Sequence, residues 1–270
     1  MGSGLGLGTL SHVRKATIGR PRRSVAARGP ITVAFVMLFA GCSQSTATSG
    51  TASADSASQQ VVLVGDSLAQ QVAPYLASMI EPATLVPQVF PGTAPCDWLG
   101  KNLGFEAAQV VVVSFAGNSL TPCMSDAAGG FLDGQAVVDR YRTDVLDLIS
   151  KAETVGARVL LVGQPAHAES VGGSEVVDGI NQAYVEFADI ENLEFVDAGA
   201  AVENTDGTFA QSLPCLPAEQ ECDSSGSNLV RSDDGVHFCP GDPPPGPCGD
   251  YASGAFRFAS AIAAALGVGA

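Results

Sequence analysis

A serine placed directly behind a short apolar run is the first candidate for chemistry. Ser67 lies in the tetrapeptide GDSL at 65–68, which follows the run VVLV at 61–64. If a strand turns into a helix here, the hydroxyl of Ser67 is exposed at the positive end of the helix dipole, which suits a nucleophile. Asp and Ser are also common helix caps, so the tetrapeptide alone fits a structural role equally well. A catalytic role requires a base nearby.

Two histidines past residue 42 could supply that base, His167 and His237. Asp234 precedes His237 by three residues in the segment DGVH, so one turn would bring its carboxylate to the imidazole ring. One ring nitrogen would then donate to the carboxylate, and the other could take the proton of Ser67. An Asp-Gly turn with an exposed histidine is the structural alternative. A lone loop histidine such as His167 is usually solvated, and we assign it no catalytic role.

These two segments together resemble a known enzyme family. GDSL after the first predicted strand and DGVH before the last predicted helix, about 170 residues apart, look like the first and fifth blocks of the SGNH (GDSL) serine hydrolases. The resemblance covers residues 61–266. It implies a catalytic triad in which Ser67 attacks an ester and Asp234 and His237 activate it.

The other two named residues of that family also have counterparts. Gly92 follows the second predicted strand and Asn118 follows the third, although the family's usual Gly-x-Asn-Asp reads AGNS at 116–119. The resemblance implies an oxyanion hole formed by the backbone N–H groups of Ser67 and Gly92 and the side-chain amide of Asn118. One such donor is commonly worth about 3 kcal/mol. Taken singly, Gly92 is more typical of a turn and Asn118 of a loop residue that caps or stabilises a turn, so their joint placement is what favours the oxyanion hole.

The apolar pattern predicts the elements that must position these residues. Continuous apolar runs favour strands buried on both faces of a parallel sheet, and they alternate with helical spacing. We therefore predict an α/β fold, a three-layer α/β/α sandwich with a central, mostly parallel five-stranded sheet, SGNH- or flavodoxin-like. Ligands of such sheets bind beyond the carboxyl ends of the strands. Strands are predicted at 61–64, 84–90, 109–115, 157–163 and 193–198, and helices at about 67–80, 135–155, 175–190 and 251–266.

The N-terminal segment has the layout of an export signal. Six Lys or Arg residues and no Asp or Glu precede Cys42, and the apolar stretch at 31–40 is shorter than the roughly 20 residues that span a bilayer. The sequence FAGC at 39–42 resembles a bacterial lipobox, whose cysteine is lipidated; an ordinary signal peptide cleaved nearby is the alternative. We expect a signal at 1–42, a flexible Ser/Thr/Ala linker at 43–60 and an SGNH domain at 61–270. The protein would then be exported, and either anchored to the outer face of the cytoplasmic membrane through Cys42 or secreted.

The six remaining cysteines predict three disulfides in an oxidising compartment. Their spacing leaves the pairing open, and we pair neighbours along the chain. No CxxC pair is present, so we expect no metal site, and nothing indicates a cofactor. Residues 203–249, rich in Pro, Ser, Gly and Cys, are predicted to form a long loop held by such bridges. The pairs are Cys96 with Cys123, Cys215 with Cys222, and Cys239 with Cys248.

The charge of the chain argues against nucleic acid as a partner. The formal net charge is −15, and after Cys42 seven Lys and Arg residues face twenty-eight Asp and Glu residues, which gives −21. A domain this acidic repels phosphate backbones. We expect a monomer whose partners are an acyl ester (a glycan, lipid or small ester) and, through the anchor, a membrane.

Three functions fit this sequence. The first is an esterase that hydrolyses acetyl or longer acyl esters through an acyl-serine intermediate. The second is an O-acyltransferase or deacetylase acting on cell-envelope polysaccharide, since the segments at 61–76 and 234–238 are also similar to SGNH domains of that kind. The third is an envelope lipoprotein that keeps the fold and binds without catalysis.

Overall fold

The structure is a computed structural model that describes residues 59–220, 222–241 and 246–267. The predicted signal at 1–42, its lipidation site Cys42 and nearly all of the predicted linker lie outside the described residues. None of the described helices is both long and apolar enough to span a bilayer.

Five parallel strands form the central sheet, as predicted. They lie in the order β2-β1-β3-β4-β5, and β1 occupies a central position between β2 and β3. Four helices flank the sheet and begin and end within a few residues of their predicted positions. The strands are β1 Gln60–Gly65, β2 Thr84–Val89, β3 Val110–Ser114, β4 Arg158–Val162 and β5 Leu193–Val196; the helices are α1 Ser67–Met79, α2 Gly134–Glu153, α3 Ser174–Glu186 and α4 Ser253–Ala265.

Alternating residues of each strand build two separate cores, one on each face of the sheet. Val61 and Leu63 of β1 pack with α1 and α4, whereas Val62 and Val64 pack with α2 and α3. Successive side chains of a strand point to opposite faces, so an unbroken apolar run is what a sheet covered on both faces requires. The two edge strands depart from the predicted burial. β2 contains Pro87 and is only partly buried, and β5 exposes Glu194.

The segment at 203–249 is more ordered than predicted. It contains an antiparallel pair of short strands, β6 Ser212–Pro214 and β7 Ser227–Leu229. The side chain of Glu219 in this segment is fully buried, and its Oε1 lies 2.7 Å from Nε of Arg257 in α4. Burial would raise the pKa of Glu219, but hydrogen bonds from Arg257 and Ser253 lower it to about 2. This ion pair fastens the segment to α4, which sequence spacing gave no means to predict.

All three disulfides form between the predicted partners, Cys96 and Cys123, Cys215 and Cys222, and Cys239 and Cys248. Cys96, Asp97 and Cys123 lie close enough together to look like a metal cluster. Because the two sulfurs are bonded to each other, they are not available as thiolate ligands.

Candidate active site

The turn that carries Ser67 is built by its two preceding residues. Asp66 caps α1, since its Oδ1 accepts the backbone N–H of Leu68 at 3.1 Å. Gly65 must be glycine, because a Cβ there would lie 2.3 Å from the carbonyl oxygen of Ser114. The capping role therefore belongs to Asp66, and the hydroxyl of Ser67, the first helical residue, is free for another partner.

That partner is His237, the histidine that the sequence analysis paired with Ser67. Its Nε2 lies 2.8 Å from Oγ of Ser67, and its Nδ1 lies 2.6 Å from Oδ2 of Asp234. Ser67 is nearly buried, whereas Asp234 is about half exposed. Hydrogen bonds thus connect residues that are 170 positions apart in the chain.

The proton positions in this trio follow from Asp234. Partial burial would raise its pKa, but its Oδ1 accepts the backbone N–H groups of His237 and Val236 at 2.9 Å each and the hydroxyl of Ser232 at 2.8 Å. These bonds outweigh burial and hold the pKa of Asp234 well below its usual range. An ionised Asp234 fixes the proton of His237 on Nδ1, which leaves Nε2 to accept from Ser67.

Arg231 holds the loop of Asp234 and His237, and the sequence analysis missed it. Its fully buried guanidinium donates from Nε and Nη2 to the carbonyl of Val236 at 3.0 and 2.6 Å, and from Nη1 to the carbonyl of Ala166 at 3.1 Å. The guanidinium also lies over the ring of Phe209, 5.3 Å from its centre. Burial lowers the pKa of Arg231 to about 10, so it remains charged at neutral pH. A lone arginine in an acidic segment just before DGVH was the available signal.

Gly235 fits this loop for two reasons. Its φ is +74°, in the left-handed region that favours glycine, and a Cβ at this position would lie 2.6 Å from the side chain of Ala168. Its carbonyl accepts the N–H of Ala168 at 2.9 Å, which joins the loop to the segment that follows β4. The glycine of DGVH therefore lets the loop close against a neighbouring segment.

Gln71 connects α1, the helix that begins at Ser67, to the same loop, and the sequence analysis missed it too. It lies one turn after Ser67 in α1 and is fully buried. Its Oε1 accepts the N–H of Phe238 at 2.9 Å, and its Nε2 donates to the carbonyls of Cys239 and Gly246 at 3.0 and 3.2 Å. One amide side chain thus fixes the backbone on the C-terminal side of His237, where the Cys239–Cys248 disulfide also lies.

Asn118 lies on the loop after β3, as predicted, but its amide is engaged. Its Nδ2 donates to Oδ2 of Asp66 at 2.9 Å and to the carbonyl of Thr93 at 3.2 Å, which accounts for both hydrogens. In contrast, the backbone N–H groups of Ser67 and Gly92 have no partner among the described residues. Of the three predicted oxyanion donors, the two backbone groups are therefore free in this state.

Asp66 is the buried centre of this cluster. Its Oδ2 also accepts the N–H of Ala116 at 2.6 Å. Burial raises the pKa of Asp66 to about 6, against the opposing effect of its hydrogen bonds and of His237. The carboxylate of Asp66, next to Ser67, thus links the turn after β1 to the loop after β3.

The Cys96–Cys123 disulfide joins the segments that follow β2 and β3, where Gly92 and Asn118 lie. Asp97 strengthens this link, since its carboxylate accepts the N–H of Ala94 at 2.9 Å and the hydroxyl of Thr121 at 2.8 Å. Trp98 is buried and packs in the core, with its ring N–H donating to Thr93. These two loops therefore form one braced unit.

His167 lies on the loop after β4, where two cavities meet. The larger, of about 520 Å³, and the smaller, of about 260 Å³, are both lined by His167 and Glu175. Nε2 of His167 is buried and has no hydrogen-bond partner among the described residues, so this histidine is less solvated than the sequence suggested. Burial and the nearby Arg231 lower its pKa, which makes the ring neutral at neutral pH.

The fold is that of SGNH hydrolases. Solved structures similar to it share little sequence: a variant of an acetyl-xylooligosaccharide esterase from Geobacillus stearothermophilus has a TM-score of 0.51 at 14% identity, over 78% of this chain and 95% of the other. A structure described as an acylhydrolase from Bacteroides fragilis has a TM-score of 0.51 at 16% identity, and the match covers 77% of this chain and 86% of the other. A Streptococcus pneumoniae protein described as a platelet activating factor has a TM-score of 0.52 at 14% identity, and the match covers 79% of this chain and 86% of the other.

A sequence family defines the chain more narrowly. The family described as protein of unknown function DUF459 matches residues 97–241, more than half of the chain, and the chain belongs to it. The matched range contains Asn118, Asp234 and His237, while Ser67 and Gly92 precede it. No curated protein sequence gives a significant match.

Proposed function

We propose that this chain is an exported serine esterase that hydrolyses acetyl or longer acyl esters through an acyl-serine intermediate. The observation that carries the proposal is the chain of hydrogen bonds from Ser67 Oγ to His237 Nε2, at 2.8 Å, and from His237 Nδ1 to Asp234 Oδ2, at 2.6 Å. These distances lie within the range over which a base can take a proton from a nucleophile.

In the first half of the reaction, Oγ of Ser67 attacks the ester carbonyl carbon while its proton passes to Nε2 of His237. The imidazolium that forms is stabilised by the ionised Asp234. When the tetrahedral intermediate collapses, the carbon–oxygen bond to the alcohol breaks and His237 gives its proton to the departing alcohol oxygen. Ser67 is left acylated.

In the second half, a water molecule takes the place of the alcohol. His237 accepts a proton from the water as its oxygen attacks the acyl carbon, and returns that proton to Oγ of Ser67 when the acyl bond breaks. The products are a carboxylic acid and free enzyme. Atoms and charge balance without a cofactor.

The negative oxygen of each tetrahedral intermediate requires donors. The backbone N–H groups of Ser67 and Gly92, which have no partner among the described residues, are suited to this role. Asn118 would join them by exchanging its contact with the carbonyl of Thr93, the longer of its two hydrogen bonds, for the oxyanion. Its bond to Asp66 would keep the amide oriented during that exchange.

The test is mass spectrometry of the full-length protein, disulfides intact, after exposure to a fluorophosphonate and separately to p-nitrophenyl acetate. We expect a covalent adduct on Ser67 and release of p-nitrophenol, both lost in Ser67→Ala with little change in melting temperature. Folded protein that gains no adduct would overturn the proposal and favour a binding lipoprotein. An acyl-enzyme that persists in water and resolves only when a glycan is added would replace hydrolysis by O-acyl transfer.

We also propose that a lipid on Cys42 anchors the domain to the outer face of the cytoplasmic membrane. The basic and apolar segment before Cys42 and the three disulfides support an extracytoplasmic location. Cys42→Ser should move the protein from the membrane fraction to the soluble fraction. A variant that stays in the membrane fraction would show that Cys42 is not the anchor.

A further inference from the structure

The loop that carries Asn118 has little support from its own backbone. Residues 117–120 follow β3 without regular secondary structure, and none of their backbone groups is hydrogen-bonded to another backbone group among the described residues. A loop of this kind must be fixed by partners elsewhere in the fold. The position of Asn118 therefore depends on side chains that reach the loop from other elements.

Tyr141 of α2 is one of these side chains. It is completely buried, and its hydroxyl donates to the backbone carbonyl of Asn118 at 3.0 Å. That carbonyl accepts no other hydrogen bond from the described residues. Burial raises the pKa of Tyr141 well above its ordinary value, so the hydroxyl keeps its proton and remains a donor at neutral pH.

Asn118 is thus held at two points. Asp66 accepts from its side-chain amide at 2.9 Å, and Tyr141 donates to its backbone carbonyl. The carbonyl carbon and Cβ of a residue are bonded to the same Cα, so a fixed carbonyl restricts the directions that the side-chain amide can take. An amide that exchanged the carbonyl of Thr93 for an oxyanion would keep both contacts. A donor that is oriented beforehand avoids the cost of reorganisation during the reaction.

Tyr184 of α3 provides an internal comparison. Its side chain is also completely buried and belongs to the same core cluster as Tyr141. Its hydroxyl, however, has no hydrogen-bond partner among the described residues. Removing one hydroxyl or the other therefore separates the hydrogen bond of Tyr141 from the packing of its ring.

We propose that Tyr141 is a positioning residue of the oxyanion hole, and that it holds the backbone of Asn118 so that the amide can meet the negative oxygen of the tetrahedral intermediate. The inference rests on the proposed function. In this role Tyr141 acts only through Asn118 and not by contact with the ester.

The experiment is a double-mutant cycle of Tyr141→Phe and Asn118→Ala, with p-nitrophenyl acetate as the substrate. Tyr141→Phe should lower kcat about tenfold, the order of one buried hydrogen bond, and leave KM unchanged, because an oxyanion donor acts in the transition state. Asn118→Ala should lower kcat on the order of 100-fold. In the double variant the missing hydroxyl should cause no further fall, because no amide remains to be positioned. Tyr184→Phe is the matched control and should keep the wild-type kcat.

Two further measurements examine the same contact. Para-aminophenylalanine at position 141 keeps the ring and offers an N–H donor, so it should retain most of the wild-type kcat even if Tyr141→Phe fails to fold. In NMR spectra of isotope-labelled protein, the side-chain amide signals of Asn118 should shift in Tyr141→Phe. Those of Asn181, which donates to the carbonyl of Gln164 at 2.8 Å, should not shift.

An unchanged kcat in folded Tyr141→Phe would overturn the inference, as would the same fall in kcat whether or not Asn118 is present. A tenfold loss with para-aminophenylalanine, or Asn118 signals that do not move, would also overturn it. Failure of the proposed function looks different. Ser67 would then gain no fluorophosphonate adduct and p-nitrophenyl acetate would not be turned over, while the Asn118 signals would still report the contact with Tyr141.

Discussion

Ser67 and His237, the two partners of the proposed proton transfer, are held in place in different ways, and the contrast shows which part of the site is more easily damaged. Ser67 lies at the junction of β1 and α1, where a capped helix and a central strand determine its position. His237 lies in a loop without regular secondary structure. That loop is fixed by two buried side chains, Arg231 at its start, which also binds the distant carbonyl of Ala166, and Gln71 from α1.

The difference has a physical cause. The backbone groups of α1 are satisfied within the helix and those of β1 by the two neighbouring strands, so few side chains are needed to place Ser67. A loop must find partners for its backbone elsewhere, and each partner becomes a residue on which the site depends. We therefore expect damage to the His237 loop to spread over more residues than damage to the Ser67 turn.

The largest effect is expected from Asp234→Asn, which tests the loop at its catalytic end. Loss of the charge removes the preference for a proton on Nδ1 of His237, so kcat should fall on the order of 10⁴-fold. Steady-state turnover of p-nitrophenyl acetate measures it. Asp233→Asn, the neighbouring carboxylate that contacts Gln211, is the control and should retain activity. Full activity in Asp234→Asn would refute the triad.

Arg231→Met tests the support of the loop. Removal of the guanidinium leaves the buried carbonyl of Ala166 and the partly buried carbonyl of Val236 without donors, which should cost about 3 kcal/mol of unfolding free energy. Urea denaturation measures this loss. Arg142→Met, which breaks an ion pair with Glu186 between half-exposed side chains, should cost about 1 kcal/mol or less. Equal losses of unfolding free energy in Arg231→Met and Arg142→Met would show that Arg231 does not hold the loop in place.

Asp66 tests the Ser67 turn, through the pH dependence of the protein's stability. Its pKa is raised from 3.8 to about 6 in the folded protein, so between these values the unfolded state releases a proton that the folded state retains. The contribution of Asp66 to stability should therefore fall by about 3 kcal/mol as the pH rises from about 4 to about 6. The checking measurement is the difference in unfolding free energy between wild type and Asp66→Asn across that range. A difference that does not vary with pH would contradict the raised pKa.

Gln71→Leu should have the smallest of these effects. It sharpens the comparison between the Ser67 turn and the His237 loop, because Gln71 belongs to α1 yet holds the backbone of the His237 loop. Losing its three hydrogen bonds should lower kcat by about tenfold, on the order of one buried polar contact, with KM for a small ester unchanged. Gln71→Glu retains the acceptor for the N–H of Phe238 and should recover part of the loss. Gln70→Leu, one residue earlier, is the matched control. A loss of stability in Gln71→Leu without any fall in kcat would make its role structural only.

Much of the fold was predictable because its signals are local. An apolar strand is recognised by its own residues, and the burial of Val61 to Val64 on two faces explains why β1 reads as an unbroken run. The Cys pairs were also assigned correctly from sequence order. The β6–β7 hairpin was missed, because its strands are short and lack periodicity.

Sequence by itself determined the α/β sandwich and the positions of Ser67, Gly92 and Asn118 beyond the ends of successive strands. It also determined the pairing of Asp234 with His237, because a separation of three residues with a glycine turn is enough to bring the two side chains together. Only the tertiary structure decided that His237 reaches Ser67, that Arg231 and Gln71 hold its loop, and that the amide of Asn118 is engaged by Asp66 and Thr93. The physical reason is the range of the interaction. Turns and strands are specified by neighbouring residues, whereas a buried arginine or glutamine is defined by partners that the chain brings close only when it folds.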